Sequence, residues 1–262
     1  MKILCFGDIF AKYGRKLIKG ELSRIKEEFR PDFILANGEN AAHGKGLTKK
    51  VYDELTGCGI DVITGGNHIF DNRDIYSFVQ SEDRLVRPAN YPEPCPGRGY
   101  EIYRVNGVRV AVVSLLGTAF MSPVDNPFRK ADEIYSEIKN MSDIILLDFH
   151  AEATSEKIAM GYHLDGRFSA VFGTHTHVQT SDERILDGGT GYITDVGMCG
   201  SLDGVIGLDR DYIVKRFNTQ RMSGKYGIAE GRRQICAVQF TFDDNTFRCT
   251  DIERIYRVLP GM

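Results

Sequence analysis

The chain has 262 residues, 42% hydrophobic and 26% charged, with 33 Lys and Arg against 36 Asp and Glu and a net charge of −3. At about 150 residues per domain, this length allows one large domain or two small ones, and a chain this long can fold without disulfides or a structural metal. The near balance of charge argues against a protein that coats long nucleic acids, because such binding needs a clustered basic surface. A pocket for a single nucleotide remains compatible with this composition.

The cysteines and the apolar stretches indicate the cellular compartment in which the protein is expected to act. The six cysteines are scattered, without a C-x-x-C pair, and no signal-peptide pattern is recognisable. This usage is typical of reduced, mostly buried thiols. The longest uncharged stretch, residues 110–124, has only 15 residues, and a membrane-spanning helix needs roughly 20 apolar ones. We therefore predict a cytoplasmic protein without a membrane segment.

The first third of the chain alternates between strand and helix patterns. Residues 2–7 form an apolar run that predicts a buried strand, and residues 13–29 carry the apolar spacing of an amphipathic helix. A second strand is predicted at residues 33–36, Thr48 is positioned to cap a second helix, and a third strand is predicted at residues 60–64. This alternation indicates a covered, largely parallel sheet.

The rest of the chain contains a hairpin, then alternating helices and strands, and finally a region of short strands. Residues 100–116 alternate around Asn106-Gly107, a strong hairpin signal. Helices and strands then follow in turn, at residues 128–140 (helix), 144–147 (strand), 154–164 (helix) and 170–172 (strand). From Glu183 onward we predict mainly short strands, with a last hairpin near residues 243–245. Without repeats or long linkers, residues 1–262 are predicted to form one α/β domain with a large mixed-sheet core.

Polar side chains follow five of the predicted strands, at the points where loops begin. They are Asp8, Glu39, Asn40, Asn67, His68, His150, His175 and His177. Because ligands of open α/β sheets bind beyond the carboxyl ends of the strands, we expect these side chains to converge. Buried together without a metal, Asp8 and Glu39 would repel each other, and each would lose its hydration at a cost of several kcal/mol. One or two divalent cations would remove that cost.

The residue types in this set narrow the choice of metal. Carboxylate and amide oxygens with imidazole nitrogens, and no thiolate, suit Mn, Fe or catalytic Zn. His175 and His177, one residue apart on a segment expected to be extended, have a common chelating spacing. Glu39 is the expected bridge of a two-metal site because it lies between the two ligand groups in the chain. Each block, taken alone, also has a purely structural explanation. A Gly-Asp or Gly-Asn pair is often a turn, and a lone His150 could be structural.

The order and spacing of these blocks resemble those of the calcineurin-like metallophosphoesterase superfamily. The segments that match are Gly7-Asp8, Gly38-Glu39-Asn40, Gly66-Asn67-His68, His150 and Gly173-Thr174-His175-Thr176-His177. Two departures stand out, since Asp8 lacks the usual histidine two residues later and Glu39 replaces the usual Asp. These departures resemble the bacterial YmdB-like (2′,3′-cyclic-nucleotide 2′-phosphodiesterase) branch, to which the chain is similar over essentially its whole length.

The resemblance implies a fold, an activity and a ligand set. The fold is a metallophosphoesterase-like sandwich of mixed β-sheets flanked by helices. The activity is hydrolysis of cyclic nucleotides, such as 2′,3′-cyclic nucleotides or cAMP, with two divalent or trivalent metal ions (Fe or Mn, with Zn or Mg as alternatives). One metal would bind Asp8, Glu39, Asn40 and His177, where Asn40 replaces the missing histidine. The second metal would bind Glu39, Asn67, His150 and His175.

The mechanism expected from such a site needs a nucleophile and an acid. Two cations about 3.5–4 Å apart acidify a bridging water, so that hydroxide attacks phosphorus near neutral pH. His68, next to Asn67, is the predicted catalytic acid for the leaving alkoxide.

Three further groups have open roles around the predicted site. Asp148 could orient a metal-binding histidine or lie on the surface. His43 and Lys45 could contact phosphate or be solvated, and residues 194–200 could line the pocket.

Two other functions are compatible with the same residues. A phosphomonoesterase or nucleotidase could use the same metal core, because substrate choice depends on loops whose sequences contain no recognisable substrate motif. A nucleotide-sensing regulatory protein with slow turnover is a further alternative, although a pure binder needs no acid such as His68. The predicted partner is a small phosphate ester or cyclic nucleotide rather than a long nucleic acid or a membrane. A homo-oligomer is common among enzymes of this kind.

Overall fold

The computed structural model describes residues 1–221 and 227–261. Its strands are β1 (Lys2–Ile9), β2 (Phe33–Asn37), β3 (Val62–Thr64), β4 (Leu85–Val86), β5 (Tyr100–Val105), β6 (Val108–Leu116), β7 (Ile144–His150), β8 (Ala170–Thr174), β9 (Arg184–Ile185), β10 (Gly191–Ile193), β11 (Met198–Ser201), β12 (Arg233–Phe242) and β13 (Cys249–Leu259). The helices are α1 (Ala11–Phe29), α2 (Lys49–Cys58), α3 (Pro127–Ile138), α4 (Thr154–Leu164) and α5 (Arg210–Thr219), with a 3₁₀ helix at Arg73–Ser77. Within the described ranges, we find no helix both long and apolar enough to cross a bilayer.

The strands form two mixed sheets. The first sheet has the order β13-β12-β11-β1-β2-β3-β4, and the second has the order β5-β6-β7-β8-β10-β9. Both sheets contain a run of parallel strands, β11-β1-β2-β3-β4 in one sheet and β6-β7-β8-β10 in the other. The antiparallel pairs are β12-β13, β5-β6 and β9-β10 at sheet edges, together with the pairs that β12 forms with β1 and β11. The prediction of a mixed-sheet α/β fold is confirmed.

Strand alternation divides the core into layers. In β1, Ile3 and Cys5 belong to an apolar cluster shared with Val112 of the second sheet, whereas Leu4 and Phe6 pack against α1 and α2. On the far side, α3 and α4 cover the outer face of the second sheet. The resulting order is helices, sheet, sheet, helices, which confirms the predicted sandwich of mixed sheets flanked by helices.

Several predicted local features are present. The predicted first helix is α1, and it ends at Arg30, whose φ of 48° and N–H bond to Lys26 O at 3.0 Å close the last turn. The Thr48 hydroxyl accepts the Val51 N–H at 3.3 Å and caps α2. The hairpin predicted at Asn106-Gly107 joins β5 to β6.

The prediction of mainly short strands after Glu183 is wrong for the last part of the chain. The hairpin predicted near residues 243–245 exists, but its strands β12 and β13 are the longest of the described strands, at 10 and 11 residues. The helix α5 was also missed. Only Ile213 is buried in α5, so its sequence has no apolar stripe to reveal it. Its start is fixed by the Asp209 carboxylate, which accepts the Tyr212 N–H at 2.8 Å.

Candidate metal centre

The carboxyl ends of β1, β2, β3, β7 and β8 bring all of the predicted site residues to one end of the sandwich. Asp8 lies in β1, Glu39 and Asn40 in the turn after β2, Asn67 and His68 after β3, His150 at the end of β7, and His175 and His177 after β8. Asp8, Glu39 and His150 are fully buried. Both sheets therefore contribute side chains to one buried polar cluster.

One part of the cluster contains Asp8, Asn40 and His177. The Nε2 atom of His177 lies 3.2 Å from Asn40 Nδ2 and 3.7 Å from Asp8 Oδ1. The other ring nitrogen, Nδ1, donates to the carbonyl oxygen of Ile206 at 3.0 Å. Because a carbonyl oxygen can only accept, Nδ1 carries a proton, and Nε2 is the ring nitrogen that faces Asn40 and Asp8.

A second part of the cluster is centred on His150. Its Nε2 atom lies 3.0 Å from Asn67 Oδ1, 3.0 Å from His175 Nδ1 and 3.1 Å from Glu39 Oε1. Ligand atoms of Glu39, His150 and His175 all lie within 4.8 Å of one another, as a metal site requires. The outer nitrogen of His175, Nε2, contacts the carboxylate of Glu152 at 3.1 Å.

Glu39 lies between the two parts. Its Oε1 atom is 3.0 Å from Asn40 Nδ2 and 3.1 Å from His150 Nε2, and its Oε2 atom accepts the His68 N–H at 2.8 Å. A Cβ atom at Gly66 would overlap both Glu39 Oε2 and His150 Nε2. Only glycine permits this close approach, which explains the Gly66 of the Gly-Asn-His block.

The turn with His175 and His177 differs from the extended segment that the sequence suggested. Both residues have positive φ, 102° for His175 and 65° for His177, a conformation that costs non-glycine residues about 1–3 kcal/mol each. The His175 N–H donates to Asp8 Oδ2 at 3.1 Å. As a consequence of the turn, the two rings do not share one side, and each faces a different part of the cluster.

The pKa values of the carboxylates and histidines in the cluster are shifted by burial and by the charges of their neighbours. Burial raises the pKa of Asp8 to about 6, against the lowering effect of His177 and His150. Burial also disfavours the ionised Glu39, but His150 outweighs it and the pKa of Glu39 is lowered to about 2. For His150 itself, burial lowers the pKa, yet the nearby carboxylates raise it to about 9. Burial and then His150 lower the pKa of His175 to about 3. The cluster thus stabilises one positive charge at its centre.

The chemistry of the donor set fits a metal ion. Within residues 1–221 and 227–261, neither Asp8 nor Glu39 forms an ion pair with lysine or arginine, and the basic side chains beside them are His177 and His150. Three polar atoms surround His150 Nε2, and its single proton can satisfy only one of them. A cation would satisfy all of these lone pairs together, and a set of carboxylate, imidazole and amide without thiolate suits Mn, Fe or Zn. The Asn40 amide donates through Nδ2 to Glu39, so coordination through its Oδ1 would require the amide to turn.

Asp148 lies behind His150. It is fully buried, so the alternative of a surface position is wrong. The Thr174 hydroxyl donates to Asp148 at 2.6 Å and lies 2.8 Å from His150 Nδ1. Asn37 Nδ2 also donates to Asp148, at 3.1 Å. Asp148 therefore acts on the orientation of His150 through Thr174.

A cleft of about 560 Å³ opens over the cluster. His68 lines it, and Nδ1 of His68 lies 2.8 Å from Asp71 Oδ2, which directs the other ring nitrogen away from Asp71. Lys45 and Arg216 also line the cleft. His43 is exposed and is not among the lining residues, and residues 194–200 are also absent from them.

Sequence reasoning missed three groups at this site. They are Asp71 beside His68, Glu152 beside His175, and Arg216 on the cleft wall. The position of Asp71 three residues after His68 was the only available signal, because Glu152 and Arg216 come from a loop and a helix that carry no motif.

Comparison with known proteins places this site in a family context. A family model described as YmdB-like protein matches residues 4–255. The chain is 49% identical over 255 residues to the 2′,3′-cyclic-nucleotide 2′-phosphodiesterase of Bacillus subtilis strain 168, covering 97% of this chain and 96% of that protein. A crystal structure of a hypothetical protein from Thermus thermophilus matches with a TM-score of 0.92 and 40% identity over 100% of both chains. A Mycoplasma pneumoniae phosphatase crystal structure matches with a TM-score of 0.93 and 35% identity, covering 100% and 94% of the two chains.

Proposed function

Because the chain belongs to the YmdB-like protein family, we propose that it is a two-metal phosphodiesterase that opens 2′,3′-cyclic nucleotides. The predicted resemblance is confirmed, and so is the broader prediction of a phosphoric-ester hydrolase, the class to which the named relatives belong. The position of Glu39 is the observation that most supports two metals. Its Oε1 atom contacts both Asn40 of one part of the cluster and His150 of the other.

The proposed ligands follow the two parts of the cluster. Asp8, Asn40 and His177 would hold one ion, Asn67, His150 and His175 would hold the other, and Glu39 would contact both. This division is supported by the contacts within each part, since His175 contacts His150 whereas His177 contacts Asn40 and lies near Asp8. The donor set favours Fe or Mn, with Zn or Mg as alternatives.

The proposed chemistry is hydrolysis of one phosphodiester bond. When bound, the metal ions supply acidified water as nucleophile and neutralise the phosphoryl oxygens. The water oxygen forms a bond to phosphorus, the bond from phosphorus to the 2′ oxygen breaks, and the 3′ phosphate remains. His68 would donate the proton that the leaving 2′ oxygen requires, and Asp71 fixes the ring that donates it. The choice of the 2′ bond follows the name of the Bacillus subtilis relative.

The walls of the cleft support a small anionic substrate. Lys45 and Arg216 provide positive charge at its rim, and Phe10 and Ile206 provide apolar surface next to His177. A nucleoside phosphate needs both kinds of contact. The cleft thus supports the predicted partner, a small phosphate ester.

A phosphomonoesterase is the second candidate, since the similar Mycoplasma pneumoniae structure is described as a phosphatase. A substrate panel with Mn²⁺ separates the two: 2′,3′-cyclic AMP, 3′,5′-cyclic AMP, and the 2′-, 3′- and 5′-monophosphates. We expect 2′,3′-cyclic AMP to be turned over fastest. Preferred hydrolysis of a monophosphate would support the phosphomonoesterase instead. Tight nucleotide binding with very slow turnover of all five compounds would support the nucleotide-sensing alternative.

Three further predictions belong to this proposal. We propose that residues 1–262 act as a single domain, because both sheets contribute ligands to one site. We propose a cytoplasmic location, which is supported by six cysteines that are all free thiols. Assembly into a homo-oligomer remains a prediction that size-exclusion chromatography with light scattering would test.

A further inference from the structure

A buried ion pair lies behind the turn that contains His175 and His177. The Nζ atom of Lys157 is 2.6 Å from Asp195 Oδ2, and each side chain is only 1% exposed. We propose that Lys157 and Asp195 are positioning residues that fix this turn in its metal-binding conformation. The inference rests on the proposed metal site and adds two buried residues that are not among the proposed ligands.

Both members of the pair bond to the backbone of the turn. Lys157 Nζ donates to the carbonyl oxygen of Thr174 at 2.8 Å, directly before His175. Asp195 Oδ2 accepts the N–H of Thr176 at 3.1 Å, between the two histidines. The other carboxylate oxygen, Asp195 Oδ1, accepts the Gly197 N–H at 2.8 Å. One charged pair therefore bonds to the turn at two places and ties it to the strand that begins at Met198.

The turn needs such support because of its backbone. His175 and His177 both occupy the left-handed region, which non-glycine residues adopt only when the surrounding structure over-determines them. The two rings depend on that conformation, since one faces His150 and the other faces Asp8 and Asn40. Relaxation of either residue to negative φ would move a ring out of its part of the cluster.

The fold also makes room for the pair, with a glycine beside Lys157. Lys157 lies on α4, among the buried residues by which that helix packs on the second sheet. A Cβ atom at Gly173 would lie 3.0 Å from Lys157 Cδ and would overlap the carbonyl oxygen of Thr194. A buried ion pair seldom stabilises a fold more than an apolar pair of similar volume. Its presence here is therefore better explained by the directional bonds to the turn than by stability.

The test compares metal affinity with stability. Mn²⁺ binding to the metal-free, full-length protein is measured by calorimetry for the wild type, Lys157→Met, Asp195→Asn and the double variant. We expect each variant to bind Mn²⁺ at least about ten-fold more weakly, the usual effect of losing support behind metal ligands. Saturating Mn²⁺ should restore most of the turnover. The double variant leaves no unpaired buried charge, so it keeps the test usable where a single variant fails to fold.

A matched control separates positioning from general destabilisation. Met160 is fully buried on the same helix, one turn beyond Lys157, and packs in the apolar cluster on the outer face of the second sheet. Met160→Ala should lower the melting temperature while leaving Mn²⁺ affinity within about two-fold of wild type. A folded double variant with wild-type Mn²⁺ affinity would overturn the inference. A wild-type protein that binds no Mn²⁺ would instead overturn the proposed metal site, so the two failures are distinguishable.

Discussion

The Nε2 atom of His150 lies 3.1 Å from Oε1 of Glu39, and neither side chain is exposed to solvent. In the metal-free chain this contact is an ion pair, because the carboxylates around His150 raise its pKa and favour its protonated form. The proton thus occupies the place at which a cation would be coordinated. Metal binding must displace it, so metal affinity should fall as the pH is lowered.

The protonated His150 leads to a prediction on the pH dependence of stability. Burial lowers its pKa, but Glu39, Asp8 and Asp148 raise it from 6.5 to about 9. Since the folded-state pKa is the higher one, this stabilisation is complete below pH 6.5 and is lost as the pH rises through about 9. The melting temperature of the metal-free protein should therefore fall between about pH 7 and pH 9.5.

The control for this prediction is His150→Gln, which removes the titrating ring. Its melting temperature should fall less over the same pH interval than that of the wild type. Differential scanning calorimetry of both metal-free proteins measures the difference between the two slopes. Equal slopes would show that His150 does not gain a proton on folding.

Loss of the Glu39 charge should disrupt both parts of the cluster at once. Glu39→Gln keeps the size of the side chain but removes the carboxylate that contacts Asn40 and His150. We expect loss of bound metal together with a decrease in turnover of about 100-fold or more. Elemental analysis and kinetics on the same sample test this, and a fully active variant with two metals would rule out the bridging role.

The proposed acid makes a prediction about leaving groups. His68→Ala should lower the turnover of 2′,3′-cyclic AMP about 100-fold and leave metal content unchanged, because proton donation by a side chain contributes roughly this much. Bis(p-nitrophenyl) phosphate releases a phenolate that needs no proton, so its turnover should change much less. Asp71→Asn should show a smaller decrease of the same pattern, since Asp71 only fixes the ring. Equal losses on both substrates, or a loss of metal, would exclude the acid role of His68.

Arg216 is predicted to contribute to substrate binding. It lines the cleft from α5, whereas its neighbour Lys215 on the same helix does not. Arg216→Ala should raise the KM for 2′,3′-cyclic AMP about three- to ten-fold with little change in kcat, as expected for the loss of one charge-assisted contact to phosphate. Lys215→Ala is the matched control and should leave KM unaltered. The idea would be wrong if both variants raised KM equally.

The sequence was sufficient to predict which polar side chains meet in the cluster, because strand ends share one edge of a parallel sheet. Asp8 and His150 each lie at the end of an apolar run, and the period-2 pattern of β1 places Ile3 and Cys5 between the sheets. Positions of this kind depend on local pattern alone. The fold class and the cluster followed from them.

Other features of the fold and of the site could not be predicted from the local sequence pattern. The helix α5 buries only Ile213, so its apolar periodicity is too weak to identify it. The partnership of Lys157 and Asp195 joins residues 38 apart in the chain, and a single lysine on a helix normally indicates solvent exposure. The left-handed turn at His175 and His177 likewise results from tertiary bonds, to Asp8 and Asp195, rather than from its own residues.

The most direct test of the account is a Mn²⁺ titration of the metal-free wild-type protein during hydrolysis of 2′,3′-cyclic AMP, with the product identified by chromatography. We expect no turnover without metal, a rate that reaches its maximum at two equivalents of Mn²⁺ per chain, and 3′-AMP as the product. A full rate in the presence of a chelator, or a maximum reached at one equivalent, would contradict the two-metal phosphodiesterase.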